Sequence, residues 1–150
     1  MEYVTSDSEI ILYLQQGDSL IESLTQLAEE KGLSSAFFQG IGAVTDVTLG
    51  YYNLQEKQYE TKEFNENYEL ISCLGNIAQK EGALFVHAHV TIGDRNYNVF
   101  GGHLFQATIS VVGEFIVNSI NIKIERTMNE NVGLAVWDLK RCKYDQKNNH

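Results

Sequence analysis

The sequence has no proline, only two cysteines in 150 residues, one tryptophan and eleven basic residues. Each scarcity removes a class of explanation. Without proline, without a Ser/Gly-rich stretch and without a repeat at a period of about 20–50 residues, no segment reads as a linker or an array, so one unit is expected. Cys73 and Cys142 stand far apart and outside any C-x-x-C spacing. That excludes a disulfide framework and a zinc knuckle, and two buried or idle thiols are expected. No apolar run reaches the roughly eighteen residues of a membrane span, and Met1–Asp7 lacks the basic and apolar regions of a secretion signal. A cytoplasmic location without a membrane partner is the expectation.

Positive charge is also short. Eleven Lys and Arg against twenty Asp and Glu give a net charge of −9, which repels phosphate backbones unless cations cluster. Four of the eleven, Lys140, Arg141, Lys143 and Lys147, lie in residues 140–150, a short basic polar tail. Residues 1–139, the expected domain, carry seven basic and nineteen acidic residues, a net charge of −12. The 43% of hydrophobic and 11% of aromatic residues suffice for one sizeable core in a chain of this length.

The apolar pattern predicts one helix, over residues 19–31. Asp18 or Ser19 can cap it, Glu22 stands where a capping-box partner belongs, Leu20, Ile21, Leu24, Leu27 and Ala28 follow helical spacing, and Gly32 ends it. Strands are expected over Glu9–Gln15, Ala36–Val44, Asp46–Asn53, Tyr59–Phe64, Glu69–Ala78, Leu84–Ile92, Val99–Phe105, Thr108–Asn118, Ile120–Arg126 and Gly133–Leu139. With no second helix to cover a parallel sheet, the fold class is α+β with a mostly antiparallel sheet.

Chemistry concentrates in one stretch. Three of the four histidines, His87, His89 and His103, fall within seventeen residues. In a strand His87 and His89 share a face with Phe85 and Thr91, while Val86, Ala88, Val90 and Ile92 take the other, a core face. Gly93–Asn98 is rich in turn residues, and a hairpin centred on Asn96 sets His89 directly opposite His103. Opposed side chains lie roughly 5 Å apart on one side of the ribbon, with His87 on the diagonal. Three imidazoles then converge as a facial metal site. Gly101 and Gly102 before the third histidine signal a bulge or a close backbone approach, with room for a ligand beside the metal. Three neutral nitrogens suit zinc with water or substrate in a fourth position, and nickel, iron and copper stay open on nitrogen ligands alone.

Other signals are weaker. Gly40-Ile-Gly42 has no helix after it and fails the dinucleotide fingerprint, so a tight bend between two strands is expected. Asn76 beside Gly75 reads as a bulge. Glu56, Glu60, Glu63, Glu66 and Glu69 fit the solvated face of an exposed hairpin, and none is nominated as catalytic. There is no G-x-S-x-G elbow and no catalytic cysteine signature.

The series Gly40-x-Gly42-Ala43, Leu74-Gly-Asn-Ile77, His87-x-His89 with Gly93-Asp94, and Gly101-Gly-His-Leu104 resembles the PPC domain, the plants and prokaryotes conserved domain. The resemblance spans residues 8–139 and includes the Gly17-Asp18 turn into the helix. It implies an α+β fold, a largely antiparallel sheet and a homotrimer. Plant relatives join this domain to a DNA-binding AT-hook, and bacterial ones are commonly described as DNA-binding; this chain has no Arg-Gly-Arg-Pro hook. The histidine ribbon also resembles that of acetolactate decarboxylase, a zinc enzyme, which implies metal ligation by His87, His89 and His103. The leading expectation is therefore a homotrimer that binds a divalent metal, zinc first, with a small molecule at the open position. A DNA-binding regulator and a metal-dependent lyase acting on a small keto or hydroxy acid are the alternatives.

Overall fold

A computed structural model describes residues 1–145; residues 146–150, with Lys147 of the basic tail, lie outside the described residues. Eleven strands and one helix follow in the order β1 (Glu2–Ser6), β2 (Glu9–Gln15), α1 (Leu20–Lys31), β3 (Ala36–Asn53), β4 (Gln58–Phe64), β5 (Tyr68–Lys80), β6 (Ala83–Gly93), β7 (Val99–Ser119), β8 (Ile122–Lys123), β9 (Glu125–Asn129), β10 (Leu134–Trp137) and β11 (Lys143–Tyr144). Nine of the strands form one sheet in the order β1-β2-β7-β3-β5-β9-β10, with β4 on β3 and β6 bridging β5 and β7. Every pairing among the described residues is antiparallel except β5 with β9, where Lys80 stands beside Arg126. The α+β, mostly antiparallel expectation holds.

Two strands are longer than the apolar pattern predicts. β3 runs through Thr45 and β7 through Gln106 and Ala107, where breaks are expected. Both continue because bulges absorb the irregularity: the β3–β7 register shifts between Gly42 and Val44 and again around Thr45–Leu49. Gly40-x-Gly42 is accordingly not a tight bend but part of this strand, with a β3–β5 register shift between the two glycines. Gly40 leaves space for the Phe115 ring, which a Cβ would meet at 2.2 Å. No proline interrupts either strand's hydrogen bonding.

The helix is where the spacing places it, but its N-terminus is not capped as expected. Ser19 occupies the N-cap without a side-chain bond. Asp18 instead accepts from the Gln15 backbone N–H and from the Met1 amino group, each at 2.9 Å. Gly32, at φ 61°, closes the C-terminus in the left-handed region, and Leu33 N–H bonds back to the Ala28 carbonyl.

Leu20, Leu24, Leu27 and Ala28 of α1 join Leu12, Leu14, Phe38, Ile77, Ile92 and Ile109 in one fully buried core. Each Leu, Ile or Phe side chain among them contributes about 1.5–3 kcal/mol by leaving water. The opposite sheet face is open. One cross-strand row, Ile11–Ile116–Gln39–Leu74–His89–His103, links β2, β7, β3, β5, β6 and the start of β7 by directly opposed pairs. Ile11, Ile116 and Leu74 remain 51%, 39% and 49% exposed. The histidines thus end an apolar stripe on the outer face.

Residues 140–145 fold back, with Lys143–Tyr144 pairing antiparallel to Ile122–Lys123. The five acidic residues from Glu56 to Glu69 are all exposed around β4. Cys73 is buried, its thiol pushed up to about 12 by desolvation, and the Cys142 Sγ lies 3.3 Å from the Asp138 carbonyl.

Candidate metal centre

The β6–β7 hairpin has the register that the turn residues dictate. Asp94 folds the turn by accepting from Asn96 N–H and Asn98 N–H through Oδ1 and from the Asn98 amide through Oδ2. His89 then opposes His103, and Val90 opposes Gly102. Alternation does the rest: Ala88, Val90 and Ile92 enter the core, while His87 and His103 are half-buried and His89 exposed on the outer face.

Ring centroids are 5.2 Å apart for His87–His89, 5.1 Å for His87–His103 and 5.5 Å for His89–His103. One nitrogen from each ring falls within 4.8 Å of the others. A tetrahedral zinc with bonds of about 2.0–2.1 Å draws such nitrogens to roughly 3.3 Å, a shift within the reach of side-chain rotation. The donor set suits a transition metal. Burial first, then the Arg126 charge and the neighbouring imidazoles, push His87 down to about 4; burial, His89 and Arg126 do the same to His103. Both are neutral, hence able to ligate, at neutral pH. The His103 Nδ1 is buried without a hydrogen-bond partner, a loss that a metal would offset.

The glycines before His103 answer to the neighbouring strands. A Cβ on Gly102 would stand 2.8 Å from the Gly50 carbonyl oxygen, and one on Gly101 3.0 Å from that of Val90. There is no register shift here. The close backbone approach is therefore that of β3 at Gly102, whose missing side chain would lie on the face away from His103, while Gly101, on the histidine face, stays exposed.

Residues that the sequence pattern does not single out surround the triad. Arg126 of β9 is 8% exposed, with its guanidinium against the ligand cluster. Its Nη2 lies 3.1 Å from His87 Nδ1 and donates to Asn76 Oδ1 at 2.9 Å, its Nη1 donates to the Ala135 carbonyl at 3.0 Å, and its Nε has no partner. Its carbon lies 5.2 Å from the Phe85 ring centroid. Burial lowers the Arg126 pKa, opposed by nearby Tyr59. Tyr59 stacks against His103 at 4.8 Å, and burial, with Tyr52, raises its hydroxyl pKa against the pull of Arg126. Asn76 is not in a bulge: it pairs with His87 across β5–β6, and its side chain orients Arg126.

A cavity of about 900 Å³ lies elsewhere, lined in part by Tyr68, Ile71, Tyr97 and Val111, and holds no histidine. Its lining is mostly apolar, and the convergent ligand set found among the described residues lies outside it. Among the described residues, no helix is long and apolar enough to cross a membrane.

The sequence matches the model of the Plants and Prokaryotes Conserved (PCC) domain over residues 1–121. A solved candidate DNA-binding protein from Bacteroides thetaiotaomicron is 31% identical, with a TM-score of 0.90 over 93% of this chain and 98% of its own. A plant- and prokaryote-conserved protein from Pyrococcus horikoshii is 31% identical, with a TM-score of 0.82 over 91% of this chain and 94% of its own. A metal-containing protein from Archaeoglobus fulgidus is 34% identical, with a TM-score of 0.81 over 91% and 96%. No protein of curated function matches.

Proposed function

The chain belongs to the Plants and Prokaryotes Conserved domain family, and from that premise we propose that it is a homotrimeric metal-binding protein whose divalent metal, zinc first, is held by His87, His89 and His103. The convergence of one ring nitrogen from each histidine within 4.8 Å carries this reading. A solved relative described as metal-containing supports it. Three protein ligands leave a fourth position for water or a small molecule, where the metal supplies Lewis acidity when bound. This chain's own residues do the positioning: Asn76 holds Arg126 beside His87, and Tyr59 packs the far side of His103.

The trimer rests on the apolar stripe of Ile11, Ile116 and Leu74, which a second copy would cover. Leu74 directly opposes His89, so the metal site would lie at the rim of that contact. Residues 1–139 would act as the domain, with residues 140–150 as its basic tail.

The test is metal content per chain by mass spectrometry, on untagged protein purified without added metal. The wild type is expected to carry about one metal per chain and the His87→Ala, His89→Ala double variant none. An absence of metal from the wild type, also after loading with zinc, overturns the reading. Chelation followed by light scattering tests whether the trimer outlives the metal.

A DNA-binding reading stands second, supported by the description of the Bacteroides relative and by Lys80, Lys123, Arg126 and Arg141 lining one cavity. Glu125 offsets Lys123 at 3.2 Å, Asp138 lies 3.9 Å from Arg141, and Arg126 is buried, so little positive charge is exposed there for a phosphate backbone. Duplex affinity that falls steeply with salt would favour this reading.

A further inference from the structure

The charge beside the triad is positive: His87 and His103 are neutral, and Arg126 sets a full charge against them. Among the described residues, no carboxylate forms an ion pair with Arg126, although the residue is more than nine-tenths buried and its guanidinium stays charged. Its acceptors are all neutral: the Ala135 carbonyl, the Asn76 amide oxygen and the His87 ring nitrogen. Nε has no acceptor at all. A buried charge held in this way is costly, and proteins pair such charges or place them where a ligand of opposite sign arrives.

Arginine only donates, so His87 Nδ1 accepts and the imidazole proton is on Nε2. A neutral imidazole has one nitrogen lone pair. A metal on Nδ1 takes that lone pair directly; a metal on Nε2 sends the proton to Nδ1, which then faces a donor. By either route Arg126 loses an acceptor as a divalent charge arrives beside it. The Phe85 ring, 5.2 Å from the guanidinium carbon, offers no acceptor on that side.

Resting on the metal-binding reading above, we propose that the replacement acceptor is a small anion, a carboxylate or similar oxyanion, bound at the open position of the metal and gripped by Arg126. The planar fork of a guanidinium matches a carboxylate, and the anion balances the metal and the arginine together. Asn76 is then a positioning residue, holding the guanidinium toward the triad, and the ligand class is anionic rather than neutral.

Cobalt(II)-loaded full-length protein tests this, since the visible spectrum of the ion reports its ligands without reference to any activity. The protein is titrated with sodium acetate, and separately with neutral imidazole and acetamide, at constant ionic strength. Acetate is expected to change the wild-type spectrum at lower concentration than acetamide. Two substitutions should weaken acetate by about tenfold to a hundredfold, while imidazole stays within about twofold. Arg126→Met removes the charge; Asn76→Asp neutralises it by placing a carboxylate against Nη2 and tests the proposal even where Arg126→Met fails to fold. Arg126→Lys, which keeps the charge but not the planar fork, should fall between the wild type and Arg126→Met. A wild type that takes up no cobalt overturns the metal reading and this inference with it. Cobalt uptake with acetate no better than acetamide, or with acetate affinity unchanged in Asn76→Asp, overturns the anion inference alone.

Discussion

On β6, side chains one residue apart obey opposite rules. Ala88, Val90 and Ile92 are 1%, 4% and 0% exposed in the core, while His87 and His89, interleaved with them, face outward beside His103. The pleat alone separates them, since successive strand residues point to opposite faces. Stability therefore resides on one face and ligand chemistry on the other, within a single strand, and substitutions should separate the two.

The largest effect is expected on the core face. Ile92→Ala removes a fully buried side chain and should cost about 2–5 kcal/mol in denaturant unfolding, with metal per folded chain unchanged. Loss of metal in that variant would break the separation. A pH effect of intermediate size belongs to the other face, in metal-free protein. Burial holds His87 and His103 near 4, below the ordinary value of 6.5, so between these pH values the unfolded chain binds more protons than the folded one. The melting temperature should be full above pH 6.5 and fall as the pH drops from 6.5 to 4, and below that the depressed carboxyls of Asp18 and Asp94 carry the fall further. His103→Ala should flatten that fall. A smaller effect follows for His89, which is exposed: His89→Ala should abolish metal uptake yet shift metal-free stability by no more than about 0.5 kcal/mol. Least of all is expected at Ser19, whose side chain caps nothing; Ser19→Ala should stay within about 0.5 kcal/mol, short of the roughly 1 kcal/mol of a bonded cap.

The triad was legible because every step to it is local. Alternation assigns His87 and His89 to one face, the Gly93–Asn98 turn fixes the hairpin centre, and the pairing of His89 with His103 follows from counting. Arg126 was not legible. It reaches His87 because β9 lies parallel to β5, putting Arg126 beside Lys80, a pairing 46 residues apart in the chain with no turn to set it. Nothing in Ile120–Arg126 indicates which strand it joins. Tyr59 comes to His103 through another long-range arrangement, β4 on β3 and β3 on β7. The unbroken course of β3 and β7 was hidden for a related reason: a bulge tolerates an irregular pattern without ending a strand, so Thr45 and Gln106 read as boundaries. β1 escaped notice because Glu2–Ser6 is mostly exposed and shows no apolar alternation.

β7 pairs with β6 and β3 at His103, whose backbone lies between those of His89 and Gly50. A strand bracketed on both sides cannot peel from an edge, so amide hydrogen exchange at Gly102–Leu104 is expected to require opening of the whole sheet. Of the imidazoles above it, His89 is exposed, whereas His87 is held by Arg126 and His103 is packed against Tyr59 and Phe105. A bound ion would then be expected to leave by rotation of the exposed His89 ring over a held backbone, ahead of any opening of the sheet.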